Sequence, residues 1–87
     1  MAVKRMTIKK ALNDRKKELQ MINDDISKAS SVSISTVINV FAVSNKQDIR
    51  FRTLLDILRA MHLKLFIVSN DGKFIREIVK EAKENED

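Results

Sequence analysis

The sequence predicts a mainly α-helical domain that contains a helix-turn-helix pair and one β-strand near its C-terminal end. Three observations lead to this prediction. The 87 residues include no proline and one glycine, and a third are charged, a composition typical of helices with few sharp turns. Residues 23–40 have the pattern of two short capped helices joined by a tight corner. Residues 63–68 form a run of high β-propensity that stops at a turn sequence.

The composition excludes several classes of protein. Without cysteine the chain can form neither a disulfide nor a thiolate metal site, and its single histidine argues against a histidine-rich metal cluster. No run approaches the ~20 apolar residues that span a bilayer. Residues 1–10 lack the apolar core of a secretory signal. We therefore expect one cytoplasmic domain with no metal, no cofactor and no membrane partner.

The net charge of +5 is concentrated in two segments. Residues 1–20 carry seven basic and two acidic side chains, and residues 46–64 carry five basic and two acidic ones. These segments flank the second helix of the predicted pair, as expected where phosphates run past both edges of an inserted helix. For a single basic helix, a solvated charged face is the alternative interpretation.

Apolar spacing and capping side chains predict four helices before residue 62, after a basic arm over residues 1–6. Thr7, Asn23 and Ser33 are the candidate N-caps of the first three, because their side-chain oxygens can accept hydrogen bonds from unpaired backbone N–H groups. The predicted helices cover residues 7–20, 24–30, 34–43 and 50–61. In the fourth, we interpret an apolar stripe as core, namely Phe51, Leu54, Leu55, Leu58 and Met61.

The third helix is predicted to have a core face and an exposed face. The core face consists of Val37, Val40 and Phe41, and the exposed face of Ile34, Ser35, Ile38 and Asn39. In a DNA major groove, the Asn39 carboxamide can pair with adenine N6 and N7, and the two isoleucines can contact thymine methyl groups. Ser35 and Thr36 can donate hydrogen bonds to phosphate or to base edges.

Polar and basic residues follow the third helix. Asn45 and Lys46 lie in a predicted loop, where they can contact backbone phosphate. Arg50 and Arg52 lie on the first turn of the fourth helix, where the helix dipole does not favour a positive charge. We infer that an external anion is the reason for these two arginines.

The β-rich run from Leu63 to Val68 needs a partner, because a single strand cannot pair its own backbone groups. It can form a hairpin with residues 73–76 through the turn Asn70-Asp71-Gly72, or it can pair with the same strand of a second chain. We favour the second chain, because residues 74–82 have the spacing of a helical face. A homodimer is then expected to form through Leu65, Phe66, Ile67 and Val68.

Residues 7–68 resemble the lambda-repressor-like (XRE/Cro) helix-turn-helix family, and within it the HipB- and HigA-type antitoxins of toxin–antitoxin modules. The segments that carry the resemblance are Val32–Asn39 and, more tellingly, Thr53–Leu65, an amphipathic helix that leads straight into an apolar strand. The resemblance implies a bundle of about five helices plus one C-terminal dimerising β-strand and a further C-terminal helix. Residues 7–63 would bind DNA, and residues 64–87 would form the dimer and the tail.

The resemblance also implies a function. By resemblance to this family, we expect a homodimeric repressor that binds double-stranded DNA at an inverted repeat in its own promoter. We also expect it to neutralise a toxin, either kinase-like or a small nuclease. By position, Asn23 corresponds to a phosphate contact. The family's other DNA contacts correspond to Ser33, Ile34, Ser35, Thr36, Ile38 and Asn39. The sequence departs from the family where Ser31 and His62 replace glycines and where two isoleucines replace commonly polar contact residues.

Two functions remain open on the sequence. The first is the sequence-specific repressor. The second is a protein-binding module that keeps the fold but uses Ile34, Ile38 and the C-terminal helix to bind a protein, with little DNA binding; the absence of basic residues on the exposed face motivates it. We expect no enzymatic activity, because the sequence shows no glycine-rich phosphate loop and no nucleophile beside a base.

Overall fold

The computed structural model describes residues 5–45 and 47–80, which form four helices followed by a two-stranded antiparallel hairpin. The elements are α1 (Ile8–Leu19), α2 (Asn23–Ser30), α3 (Ile34–Phe41), α4 (Phe51–Ala60), β1 (Leu65–Val68) and β2 (Ile75–Ile78). The prediction of a mainly helical domain is confirmed, and the described residues contain four helices where the resemblance implied about five. No helix in the described ranges is both long and apolar enough to cross a bilayer.

Two of the predicted N-caps are confirmed. The hydroxyl of Thr7 accepts a hydrogen bond from the backbone N–H of Lys10 at 3.1 Å, at the start of α1. The hydroxyl of Ser33 accepts one from the backbone N–H of Thr36 at 3.3 Å, at the start of α3. Both contacts satisfy N–H groups that a helix leaves unpaired in its first turn.

The prediction that Asn23 caps α2 is wrong. The helix begins at Asn23, its N-cap is Ile22, and the backbone N–H of Ile22 donates to the carboxylate of Asp25 at 3.0 Å. A carboxylate in the first turn is also favoured by the helix dipole. The Asn23 side-chain oxygen instead accepts a hydrogen bond from the Lys16 ammonium at 2.6 Å, which ties α2 to α1.

Buried apolar residues from all four helices form one core. Its members are Leu12, Ile26, Val37, Val40, Phe41, Leu54, Leu55, Ile57, Leu58 and Met61. The predicted core face of α3 is therefore confirmed. In α4 the predicted stripe needs two corrections: Phe51, the first helical residue, is 56% exposed, and Ile57 is fully buried. At 3.6 residues per turn, a buried stripe is wider than a single row of side chains, so α4 also buries Ile57.

The corner between α2 and α3 is held by serine side chains. Ser30 is buried, and its hydroxyl donates to the carbonyl of Ile26 at 2.6 Å and accepts from the backbone N–H of Val32 at 3.2 Å. The Ser27 hydroxyl donates to the Val32 carbonyl at 2.5 Å. Ser31, the C-cap residue of α2, has a left-handed backbone with φ of 61°. These contacts satisfy the buried polar groups of the corner and set the direction of α3.

The C-terminal segment is a hairpin, so the prediction of a single strand followed by a helix is wrong, and β1 has the partner within the chain that we ranked second to a second chain. β1 pairs antiparallel with β2, with Leu65 opposite Ile78 and Val68 opposite Ile75. The two isoleucines of β2 are three residues apart, a spacing that also suits a helix, but β1 needs a partner for its backbone groups and β2 supplies it. The remainder of the predicted helix and tail, residues 81–87, lies outside the described residues, as do residues 1–4 of the predicted arm.

The turn between the strands explains why the hairpin closes. Gly72 has φ of 76°, and its N–H donates to the carbonyl of Ser69 at 2.9 Å. The Asp71 carboxylate accepts hydrogen bonds from the Ser69 hydroxyl at 2.7 Å and from the Lys73 N–H at 2.9 Å, and these bonds lower the pKa of Asp71. Because the pKa of Asp71 is lowered in the folded state, these hydrogen bonds stabilise the folded state at neutral pH. Their stabilisation is lost as the pH falls through the lowered pKa.

We expect the substitution Ser31→Gly to raise the free energy of unfolding by about 1 kcal/mol, because it relieves a left-handed backbone on a residue with a Cβ. Urea denaturation at matched protein concentration measures the change. Ala29→Gly is the control: this residue is exposed within α2, so glycine there should cost about 1 kcal/mol. A loss of stability in both variants would contradict the expectation.

Candidate nucleic-acid interface

α3 exposes one face along its length. Ile34 is 42% exposed, Ile38 is 48% exposed, and Ser35 and Asn39 are also exposed, whereas Thr36 is half-buried. The exposed face that the sequence predicted is therefore confirmed as a surface, and its binding role stays a prediction. Because the opposite face is buried in the core, this surface is held in one orientation.

Asn39 and Thr36 also line a polar groove between α3 and the segment that leads into α4, with a volume of about 390 Å³. Its other lining residues are Val40, Asn45, Gln47, Asp48, Ile49, Arg50 and Thr53. The structure thus brings together four of the predicted contact residues, Thr36, Asn39, Asn45 and Arg50. The groove lies beside the exposed face of α3, so one ligand can contact both.

Three polar lining residues were not selected from the sequence: Gln47, Asp48 and Thr53. Asp48 is the most consequential, because its exposed carboxylate lies in the groove that also contains Arg50. A negative charge there weakens the local attraction for phosphate. The sequence signal that could have identified Asp48 was its position between Asn45 and Arg50. It was not selected because a carboxylate does not itself bind phosphate.

The two predicted anion-binding arginines are exposed at the start of α4. Arg50 is the N-cap residue, and Arg52 lies in the first turn. Within residues 5–45 and 47–80, no carboxylate lies within 4 Å of either guanidinium. Both charges are therefore available to an external anion. Lys46, the other predicted cation of this region, lies outside the described residues.

Asn45 is partly used by the fold itself. Its side-chain oxygen accepts the backbone N–H of Gln47 at 2.8 Å, and its backbone carbonyl accepts the Lys9 ammonium at 2.8 Å. Lys9 also donates to the carbonyl of Ala42 at 2.8 Å, at the C-terminal end of α3. A cation at this position suits the helix dipole. Asn45 keeps its side-chain NH₂ as a donor for phosphate, and Lys9 positions the loop that presents it.

Two of the basic side chains of α1 pair with carboxylates of the same helix, and two others donate hydrogen bonds to neutral groups within the chain. Lys10 pairs with Asp14 at 2.5 Å, and Arg15 pairs with Glu18. The contacts of Lys9 and Lys16 are the intrachain ones described above. Lys17, on the same helix, is exposed. Among the described residues that line the groove beside α3, Arg50 at the start of α4 is the cation.

Two of the predicted DNA contacts have intrachain roles. Asn23 is half-buried and accepts the Lys16 hydrogen bond, so its oxygen is occupied. The Ser33 hydroxyl caps α3 and donates to the Thr36 hydroxyl at 2.8 Å. The Ser35 hydroxyl lies 3.4 Å from that of Ser33. Asn39 has no hydrogen bond in the part of the chain that the structure describes, so its whole carboxamide is free to read a ligand.

The predicted dimerisation strand exposes apolar side chains. Leu65 is half-buried against the core, whereas Phe66, Ile67 and Val68 are 49%, 56% and 53% exposed. In the observed register, Phe66 and Val68 share one face of the hairpin with Ile75 of β2. Ile75 is also half exposed, at 52%. Exposed apolar side chains gathered on one face make that face a candidate interaction surface.

No family model matches the chain, and comparison with curated proteins and with solved structures also finds no match. Support for a function therefore comes from the chemistry of these surfaces and from the sequence resemblance of residues 7–68.

We expect the substitution Lys9→Met to lower the free energy of unfolding by about 1–2 kcal/mol, because it removes two charge-assisted hydrogen bonds to carbonyls at the end of α3. Lys17→Met on the same helix is the matched control, and it should change stability by less than about 0.5 kcal/mol. Thermal unfolding followed by circular dichroism compares them. Equal effects would show that Lys9 does not hold the α3 terminus.

Proposed function

We propose that this protein is a sequence-specific DNA-binding repressor that acts as a homodimer. One observation carries the proposal: α3 presents an exposed face beside a polar groove, and Arg50, which has no ion pair in the described residues, lines the other side of that groove. A helix held out from a helix-turn-helix pair is the element that enters a DNA major groove. The resemblance of residues 7–68 to lambda-repressor-like proteins supports the same function.

In this function α3 contacts base edges, and its flanks contact phosphate. Asn39 reads adenine through its free carboxamide, while Ser35 and Thr36 contact base edges or phosphate. Arg50 and Arg52 neutralise DNA phosphates at one edge of the major groove. They are available for this role because neither has an ion pair in the described residues.

The dimer forms through the hairpin. Within residues 47–80, no strand pairs with the other edge of β1. The Ser69 N–H donates to the Phe74 carbonyl, so by alternation the backbone groups of Phe66 and Val68 point to that other edge. Pairing of β1 with its symmetry copy would extend both hairpins into a four-stranded sheet and cover exposed apolar side chains. Two α3 helices would then be held at a set separation, as an inverted repeat requires.

By the same resemblance, the repressor is the antitoxin of a toxin–antitoxin module and neutralises a kinase-like or small nuclease toxin. A footprint on the DNA upstream of its own gene, with and without the product of the neighbouring gene, tests this part. Protection of an inverted repeat that changes when the neighbouring product is added supports the antitoxin role. Protection that does not change when that product is added would support a repressor that is not an antitoxin.

We expect the double substitution Arg50→Gln and Arg52→Gln to reduce the salt dependence of DNA binding. The slope of log Kobs against log salt is negative, and removal of each phosphate contact should make it less steep by about 1. Fluorescence anisotropy with a duplex from the protein's own promoter region, at several salt concentrations, measures the slope.

Two substitutions serve as controls for this experiment. Lys17→Gln removes an exposed charge from α1 and should leave the slope unchanged. Asp48→Asn removes the carboxylate from the groove and should strengthen binding to all sequences alike. If the arginine variant keeps the slope of the unsubstituted protein, Arg50 and Arg52 are not the phosphate contacts.

We expect Val68→Lys to convert the dimer into a monomer, because a charged side chain on an edge strand disfavours its pairing with another chain. Val43→Lys is the control, since Val43 is an 80% exposed apolar residue outside the hairpin. Sedimentation velocity measures both variants. An unsubstituted protein that sediments as a monomer at the concentrations where it binds DNA would refute the dimer.

A second candidate function is a protein-binding module with little DNA binding, favoured by the half-exposed pair Ile34 and Ile38 on a helix without basic residues. The C-terminal helix that this alternative also invoked is, within the described residues, strand β2. Absence of promoter binding at low salt, combined with tight binding of the neighbouring gene's product that Ile38→Asp abolishes, would favour this function.

A further inference from the structure

We propose that α3 reads A·T base pairs and lacks the means to read G·C, so that the ligand of this surface is a duplex whose half-site is rich in A·T pairs. The inference rests on the proposed DNA-binding function and specifies its ligand. It follows from the side chains that α3 exposes and from the positions that they occupy.

The hydrogen-bonding groups of α3 suit adenine and not guanine. Guanine is read in the major groove mainly by arginine or lysine, which donate two hydrogen bonds to O6 and N7. α3 contains neither residue, and Arg50 stands apart from its exposed face, across the groove. The hydroxyls of Ser35 and Thr36 can hydrogen-bond to any base, so they do not select guanine. Asn39 is therefore the principal reader, and its carboxamide matches the donor–acceptor pair of adenine.

The two isoleucines of α3 suit thymine. Ile34 and Ile38 are one helical turn apart on the exposed face, and both are nearly half exposed. Four residues advance about 6 Å along a helix, close to twice the ~3.4 Å rise of a base pair. The two side chains can therefore meet thymine methyl groups about two base pairs apart, and thymine is the base that presents a methyl group in the major groove.

The same isoleucines discriminate against G·C pairs. An isoleucine pressed against a cytosine amino group or a guanine carbonyl would remove that polar group from water without offering a hydrogen bond. The same side chain gains by burial against a methyl group. A G·C pair opposite Ile34 or Ile38 is thus disfavoured twice, by the missing methyl and by the unpaired polar edge. Ile34 and Ile38 add no charge-based attraction for DNA of any sequence, but they supply specificity for thymine.

The test begins with selection of bound duplexes from a random pool by the full chain. We expect half-sites of A·T pairs, with thymines about two positions apart and an adjacent adenine. Uracil is then substituted for one such thymine, which removes only its methyl group. The expected loss of affinity is about fourfold for each contacted methyl, comparable to the burial of one carbon.

Variants assign the contacts. In Ile38→Ala, uracil at the matching position should cause no further loss, whereas Val43→Ala, an exposed apolar residue outside α3, should retain the full uracil effect. In Asn39→Ala, replacement of the selected adenine by 7-deaza-adenine, which lacks the N7 acceptor, should cause no further loss. Circular dichroism confirms that each variant is folded, and these exposed positions leave the core intact.

The outcomes separate this inference from the proposed function. Tight binding to a selected site with invariant G·C pairs, or with thymines that tolerate uracil without loss, overturns the A·T readout and leaves DNA binding standing. Failure to enrich any duplex, even at low salt, overturns both. Enrichment of A·T half-sites whose thymine dependence is lost in Ile38→Ala supports both.

Discussion

The burial of one face of α3 against α2 is the constraint on which the rest of the structure depends. Ile26 and Val37, both without solvent exposure, join the two helices, and the Ser27 and Ser30 hydroxyls satisfy the backbone of the corner. Because close-packed interiors tolerate few alternative arrangements, this packing sets which α3 side chains face outward. The exposed face is a consequence of the core, and any function of that face depends on it.

The positive charge of the chain serves two purposes that only the folded structure separates. Lys9 and Lys16 of α1 donate hydrogen bonds within the chain, to carbonyls at the end of α3 and to Asn23. Arg50 and Arg52 have no such partners in the described residues. The basic side chains of α1 therefore help to hold the fold together, whereas the two arginines at the start of α4 do not.

The apolar surfaces follow a related division. Leu65 and Ile78 of the hairpin pack against the core, whereas Phe66 and Val68 on the opposite face remain exposed. The isoleucines of α3 are likewise half exposed, at a surface where a helix usually carries polar residues. Under the proposed function, different ligands cover these two surfaces: a second chain covers the hairpin, and base edges contact α3.

Local interactions explain what the sequence by itself determined: the four helices, the caps Thr7 and Ser33, and the exposed face of α3. Each depends on residues within one or two helical turns, so the 3.6-residue period and the capping side chains suffice. Only tertiary structure decided the hydrogen-bond partners of Lys9, the role of Asn23 and the formation of strand β2. Residues 75–78 suit a helix or a strand equally, and the unpaired backbone of β1, brought alongside by the turn at Gly72, selects the strand.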